Sequence, residues 1–576
     1  MKRIGLIDDA FLRVESRREP LHIGSLTLYQ PPKGAAADFT AKLAAHLREC
    51  IHPEPPFNRL LVERMGMHYW EEAEDFDLSN HFVHTALPKP GRIRELLALV
   101  SRVHCAHLDR AYPMWRMYLI EGLEDGRVAM YFKIHHALVD GVAGMRLMLK
   151  SMATTPEASV GMPAPWEVTT IKSNSRPLPV PNPFSGGISA VRTLAREGLH
   201  SALPVAREIA DTVYDLFKKN GNLALAGQAP VSVFNEKVSA TRRFAAQSYS
   251  TARMRAVAEA YGATLNDVVL AMCAGALRKY LQQMDRLPEI SLNAAVPVSV
   301  RRHDDQAGNE VAFAITWLAT DIDDPGERLR AIKAGMDYNK DRIQRLSSGQ
   351  YMTYAAAMLL PGTFKTLLRL APDKTLGNVI ISHVPGPRRT MYWQGMRLCG
   401  IYPVSVIIDH GALNITVVSR DEAVDFGLIA CRKTVPQMQR LLDYLEDALG
   451  DLEATVRRQG RARTRAASAT GANAARKQAA GKTRAKAKKK AGARKKAAVK
   501  KAPARKAAAK KAVAKTAPVK KAPVKKAVAK KTPVKKASAA RSRAANVTQA
   551  AKAGKAPARK RSAPRAARPK LAAPAS

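Results

Sequence analysis

The segment KIHHALVDGVAG, residues 133–144, closes an apolar run with two adjacent histidines. An aspartate follows four residues after the second, and then come the small residues Gly141, Ala143 and Gly144. Histidine is the side chain whose ordinary pKa lies closest to neutrality, so a proton can be taken and returned here at physiological pH. In RVAMYFKIHH a period of two sets Met130, Phe132, Ile134 and His136 on one face, with Tyr131, Lys133 and His135 on the other. The two rings are therefore expected to point apart, which argues against joint ligation of a metal. On the more apolar face, desolvation is expected to keep His136 neutral, the form that accepts a proton. His136 is thus a candidate general base. Asp140 is a candidate for holding the loop or an arginine partner, and Gly141 for close backbone approach at a helix start. A core histidine and a helix N-cap suit the same letters, and the residues by themselves leave both readings open.

The elements that must position this segment alternate between strand and helix patterns. LHIGSLTLYQ (21–30) reads as a strand, ADFTAKLAAHLREC (37–50) and RIRELLALVSRVHCAHL (92–108) as amphipathic helices, and RMYLIEGL and RVAMYFKIHH as two strands joined by the turn EDGR. Residues 163–187, rich in Pro, Ser and Gly, read as a surface linker, and two helical patterns follow at 188–219. These helices suit either a one-sided membrane contact or packing between domains. A second mixed body runs from about residue 233, with helices at 252–262 and 265–284, strands at 292–300 and 313–322, and the hairpin-like ALNITVVSRDEAVDFGLIA. The expected division is 1–165, 166–232 as a linker with helices, 233–452, and a tail 453–576. A site is expected between the two bodies, where clefts commonly form.

Charge separates the tail from the rest. Of 94 basic residues, 41 lie from Arg457 onward, where there is no acidic residue; residues 1–456 carry 53 basic against 49 acidic. No Phe, Tyr or Trp follows Tyr444, so the tail has little to bury and is expected to be disordered. Five scattered cysteines with no CxxC spacing argue against a disulfide framework or a zinc cluster and suit a reducing cytoplasm. Asp8 and Asp9 interrupt the N-terminal apolar stretch too early for a signal peptide, and no run approaches the ~18 apolar residues of a membrane span.

His135-His136-Ala137-Leu138-Val139-Asp140-Gly141 resembles the HHxxxDG signature of the CoA-dependent acyltransferase superfamily, which includes chloramphenicol acetyltransferase and peptide-synthetase condensation domains. Further blocks narrow the resemblance to the bacterial wax ester synthase/acyl-CoA:diacylglycerol acyltransferase family. LDRAYPMWRMYLIEGL is similar to its P-L-W block through Pro113 and Trp115, with Met114 where leucine is usual. GATLNDVVLAMCAGALRKYL is similar to its N-D block through Asn266 and Asp267. AAVPVSVRR, GNEVAF and GNVIISHVPGP resemble further segments, the last with His383 in place of asparagine; the resemblance implies that the two departures bear at most on the lining of a substrate channel and do not abolish activity.

The resemblance implies two chloramphenicol acetyltransferase-like mixed α/β domains around a central cleft or tunnel, and an O-acyltransferase. Its substrates are implied to be a fatty acyl-CoA and diacylglycerol or a long-chain alcohol, with no further cofactor and no metal. It also implies His136 as general base beside His135, and Asp140 in a structural ion pair, for which Arg301 is the candidate. Thr264 and Asp267 equally suit a capping box, and Pro113 and Trp115 suit a packing element at a strand start. The expected location is cytoplasmic, against the inner face of the membrane or a lipid inclusion. For the tail, which resembles those of linker histones, DNA, RNA, polyphosphate and anionic lipid all qualify as partners. A non-catalytic nucleoid protein and a condensation enzyme with another acceptor are the alternative readings.

Overall fold

The strand and helix patterns around the motif fold as one sheet with helices against it. In the computed structural model the first half runs β1 (Lys2–Arg3), α1 (Leu6–Val14), β2 (His22–Gln30), α2 (Phe39–Glu49), β3 (Arg59–Arg64), β4 (Met67–Glu72), β5 (Phe82–Ala86), α3 (Ile93–Cys105), β6 (Trp115–Glu121), β7 (Val128–His135) and α4 (Gly141–Lys150). The second half runs α5 (Leu199–Phe217), β8 (Arg242–Ser250), α6 (Thr251–Tyr261), α7 (Leu265–Gln283), β9 (Asn293–Ser299), β10 (Val311–Trp317), α8 (Pro325–Arg345), β11 (Val379–Pro385), β12 (Tyr392–Trp393), β13 (Met396–Val404), β14 (Leu413–Ser419), β15 (Ala423–Cys431) and α9 (Arg440–Ala498). The structure describes residues 1–169, 199–217, 221–222, 224–225, 227–299, 311–347, 350, 354 and 377–498.

Two six-stranded sheets carry the fold, in the orders β12-β13-β2-β7-β6-β5 and β10-β9-β11-β14-β15-β8, with a small sheet β1-β4-β3 beside the first. β6 and β7 pair antiparallel across the EDGR turn, and β14 and β15 form the expected hairpin. One strand pairing crosses the expected division at residue 233. β12 and β13 belong by sequence to the second half, yet β13 pairs antiparallel with β2 of the first, from Arg397 opposite Gln30 to Val404 opposite Gly24. Where β13 passes β15, a Cβ on Gly427 would lie 1.8 Å from the Pro403 carbonyl oxygen, so only glycine permits the approach. Asp425 of β15 fastens the crossing by accepting from the Ile401 backbone at 2.8 Å and from Arg420 at 2.6 Å.

The start of the supposed surface linker is also packed. Trp166 is fully buried, its indole N–H donates to the Cys50 carbonyl at 2.8 Å, and its ring stacks 5.5 Å from Trp115. A tryptophan with a partner for its N–H is worth more inside a core than on a linker. Residues 170–198, which include most of the linker and the first of the two helical patterns, lie outside the described residues. The second pattern is α5, which packs rather than floats: Glu208 pairs with Arg342 of α8 at 2.6 Å with both side chains 5% exposed. Thr212 hydrogen-bonds Tyr354 at 3.0 Å.

Helix α9 runs past the expected tail boundary at residue 452. Leu452 and Thr455 are buried against the second half, Gln459 donates to Tyr261 at 2.9 Å, and the helix continues to Ala498. Alanine, the best helix former, dominates this stretch and no proline interrupts it before residue 503. The Pro-containing repeats at 516–537 lie outside the described residues.

Candidate active site

Helix α1 was not read from the sequence, and it is the element that organises the motif. β7 ends at His135, so the strand alternation stops one residue short of His136. Both rings meet α1 and its C-cap, His136 at Phe11 and His135 at Glu15, four residues apart.

His135 is fully buried. Its backbone N–H donates to the Met114 carbonyl at 2.9 Å, and its Nδ1 accepts from the Ala137 N–H at 3.1 Å. An accepting Nδ1 places the proton of the neutral ring on Nε2, which lies 3.5 Å from Glu15 Oε1. Glu15 also accepts from the Leu21 N–H at 3.1 Å and from Arg110 at 2.8 Å. Burial by itself would raise the Glu15 carboxyl, but the approach of His135 and the hydrogen bond from Arg110 prevail and hold it at about 2. Glu15 is the functional residue that sequence reading missed; it lies in DAFLRVESRREPLHIGSL, residues 9–26, which is similar to the opening segment of the same family.

His136 is anchored by its backbone N–H to the Leu21 carbonyl at 2.9 Å and stacks on Phe11, with ring centroids 4.5 Å apart and planes 17° apart. Its Nδ1 is enclosed without a hydrogen-bond partner, which leaves Nε2 as the nitrogen able to meet a substrate. Burial lowers its pKa below the ordinary histidine value, Asp140 acting against the shift and His135 with it. Burial thus favours the neutral imidazole, at a ring set by a turn and a stacking partner rather than by strand alternation.

Asp140 is the N-cap of α4: its Oδ1 accepts from the Ala143 N–H at 2.8 Å. Arg301, its expected ion-pair partner, lies outside the described residues. Asp8, one turn before Phe11 on α1, has its pKa pushed up to about 6 by burial and by Asp140. Gly141 is exposed, and a Cβ on it would meet no protein atom within 4 Å, so close backbone approach within the protein does not explain it.

The remaining candidates are mostly structural. Asp267 is fully buried and forms the capping box of α7, accepting from the Thr264 N–H at 2.8 Å and hydroxyl at 2.7 Å. Asn266 is half-buried beside it, and no described hydrogen bond or ion pair joins either residue to the histidines. Pro113 is buried, and Trp115 opens β6 with its indole N–H on the Phe57 carbonyl at 2.8 Å and its ring stacked on His81 at 4.5 Å. Both are packing elements. Met114 sits under α1 in an apolar cluster with Ile4, Leu12 and Ala137, directly behind the motif. His383 lies on β11 opposite Val417, and burial lowers its pKa to about 4. An open groove of about 890 Å³ near Phe76 and Asp77 contains none of the motif residues. Among the described residues no group of three His, Cys, Asp or Glu is placed to hold a metal.

Comparison with known proteins gives this geometry a family. Residues 4–269 match the model of the wax ester synthase/diacylglycerol acyltransferase catalytic domain, and residues 307–453 that of the WS/DGAT C-terminal domain. The O-acyltransferase WSD of Acinetobacter baylyi is 41% identical over 465 residues, covering 81% of this chain and all of the relative. A putative diacylglycerol O-acyltransferase of Mycobacterium tuberculosis is 41% identical over 78% of this chain and 99% of its own. The solved wax ester synthase/diacylglycerol acyltransferase of Marinobacter aquaeolei superposes with a TM-score of 0.64 at 42% identity, covering 79% of this chain and all of that one. A condensation domain of the calcium-dependent antibiotic synthetase shares the fold at 14% identity, with a TM-score of 0.50 over 79% of this chain and 97% of that one. The two-sheet body with HHALVDG at the end of β7 therefore belongs to the wax ester synthase/diacylglycerol acyltransferase family, and the protein is an acyl-CoA-dependent O-acyltransferase.

Proposed function

We propose that His136 is the general base for transfer of a fatty acyl group from acyl-CoA to the hydroxyl of diacylglycerol or of a long-chain alcohol. The alcohol oxygen bonds to the thioester carbonyl carbon while its proton passes to His136 Nε2. The C–S bond then breaks and the proton moves to the departing sulfur, giving an ester and free CoA. The observation that carries this reading is the His136 ring itself, fixed against Phe11 and enclosed at Nδ1, where burial lowers its pKa. Positioned base catalysis supplies about 10²–10⁴-fold, and juxtaposing two apolar substrates out of water supplies much of the rest. Glu15 and His135 fix the turn that presents His136, and Asp140 fixes the start of α4 behind it.

Both substrates partition into lipid, so the enzyme works from one side of a lipid surface, the inner face of the membrane or an inclusion. No single described helix is long and apolar enough to cross a membrane. The test is CoA release from palmitoyl-CoA with diacylglycerol or hexadecanol by His136→Ala. A folded variant with near-normal turnover removes His136 as the base, and loss with both acceptors supports it. Flotation of the protein with lipid vesicles checks the location, which a protein that stays wholly in the lipid-free fraction would refute.

A further inference from the structure

The charge beyond residue 456 lies outside the matched catalytic and C-terminal domains, which end at residue 453, and its arrangement on α9 is specific. Between Arg476 and Lys490 eight of fifteen residues are basic and none is acidic, and their side chains are exposed. At 100° per residue these positions fall round the whole circumference of the helix rather than on one face. From Arg457 to Ala498 no apolar residue larger than alanine occurs and no aromatic. A helix that lies on a bilayer needs an apolar face to bury, and this one has none. A planar leaflet would also leave the charges on its far side unanswered. A duplex would not: an α-helix about 10–12 Å across enters a major groove about 12 Å wide, where phosphates line both walls. Like charges four apart, such as Lys482, Lys486 and Lys490, work against the helix when it is free, and phosphates on either side relieve that repulsion.

We propose that the 457–498 arm of α9 is a sequence-independent docking element for double-stranded DNA, so that this acyltransferase carries a second, nucleic-acid-binding function. The 25 further basic residues after Ala498 add to the same electrostatic attraction. Without aromatic side chains the arm has no platform for stacking bases, so single strands are the poorer ligand.

The test uses the full chain, a chain ending at Gly460 that keeps the Gln459–Tyr261 contact, and a full chain with the eight basic residues of 476–490 changed to Gln. Binding of a labelled duplex of about 30 base pairs is expected to fall about 10³-fold or more between 50 and 200 mM salt and to be indifferent to sequence. The shortened chain is expected to bind at least about 100-fold more weakly at 100 mM salt while releasing CoA at the full rate, and the Gln variant about tenfold more weakly. Circular dichroism of the full chain is expected to gain helix signal on adding duplex. Unchanged duplex binding by the shortened chain or by the Gln variant overturns the assignment. So does tighter binding to phosphatidylglycerol vesicles than to duplex at equal phosphate concentration.

Discussion

The face of α1 that meets the motif and the stretch of α9 from Arg476 to Lys490 both concentrate ionisable groups, and they treat charge in opposite ways. Around Glu15 polar groups converge: the Leu21 N–H and Arg110 donate to one carboxylate, and His135 Nε2 lies 3.5 Å from it. Between Arg476 and Lys490 eight cations stand exposed with no acidic residue in the stretch. Burial makes the first region sensitive to a single atom, because removing one partner leaves another uncompensated in a poor solvent for charge. Exposure makes the second region act by number, since each screened cation contributes little alone.

The comparison is broken most directly at His136. Changing it to Ala is expected to lower acyl transfer by about 10²–10⁴-fold with an unchanged melting temperature, whereas removing the chain after Gly460 is expected to leave CoA release within about twofold. Thermal melts and a thiol-release assay on both proteins decide this. Glu15→Gln comes next, with an expected destabilisation of about 1–3 kcal/mol and reduced turnover, because His135 and Arg110 lose a charged acceptor. Its pH signature follows from a folded pKa of about 2 against an ordinary 4.5. The stabilisation is fully present above pH 4.5 and is lost as pH falls towards 2, so wild type and variant melts are expected to converge in acid.

Asp8 has the reverse sign. Its folded pKa of about 6 exceeds the ordinary 3.8, so the folded state prefers the protonated carboxyl and stability falls as pH rises from 3.8 to 6. Asp8→Asn is therefore expected to raise the melting temperature at pH 8 and to leave it unchanged at pH 3.5. The smallest effect belongs to the arm: Lys486→Gln is expected to shift stability by less than about 0.5 kcal/mol in a denaturant titration.

The motif strand, the helix after it and the antiparallel pairing of β6 with β7 were legible because each obeys a local rule: a period of two, an N-cap aspartate, a short polar turn. The capping box of α7 could be read in the same way. Helix α1 was not, because LIDDAFLRV opens behind Gly5 with no side-chain cap and carries two acids that resemble an interrupted leader. Without α1, neither Glu15 nor the Phe11 stack could be assigned to the histidines. Trp166 was misplaced for a related reason: the prolines around it announce an irregular path, and an irregular path inside a core looks the same in sequence as one outside. The loan of β13 to the first sheet left no local trace, since an edge partner for β2 can be any strand of suitable pattern.

That loan bears on how the protein is made. The sheet that presents HHALVDG is completed along β2 only by residues numbered near 400, so a ribosome must deliver most of the chain before the catalytic half can close. Until then β2 is an uncovered hydrogen-bonding edge, a template for pairing with other nascent copies. With closure of this slow, long-range kind, the first 165 residues expressed alone are expected to aggregate rather than to fold.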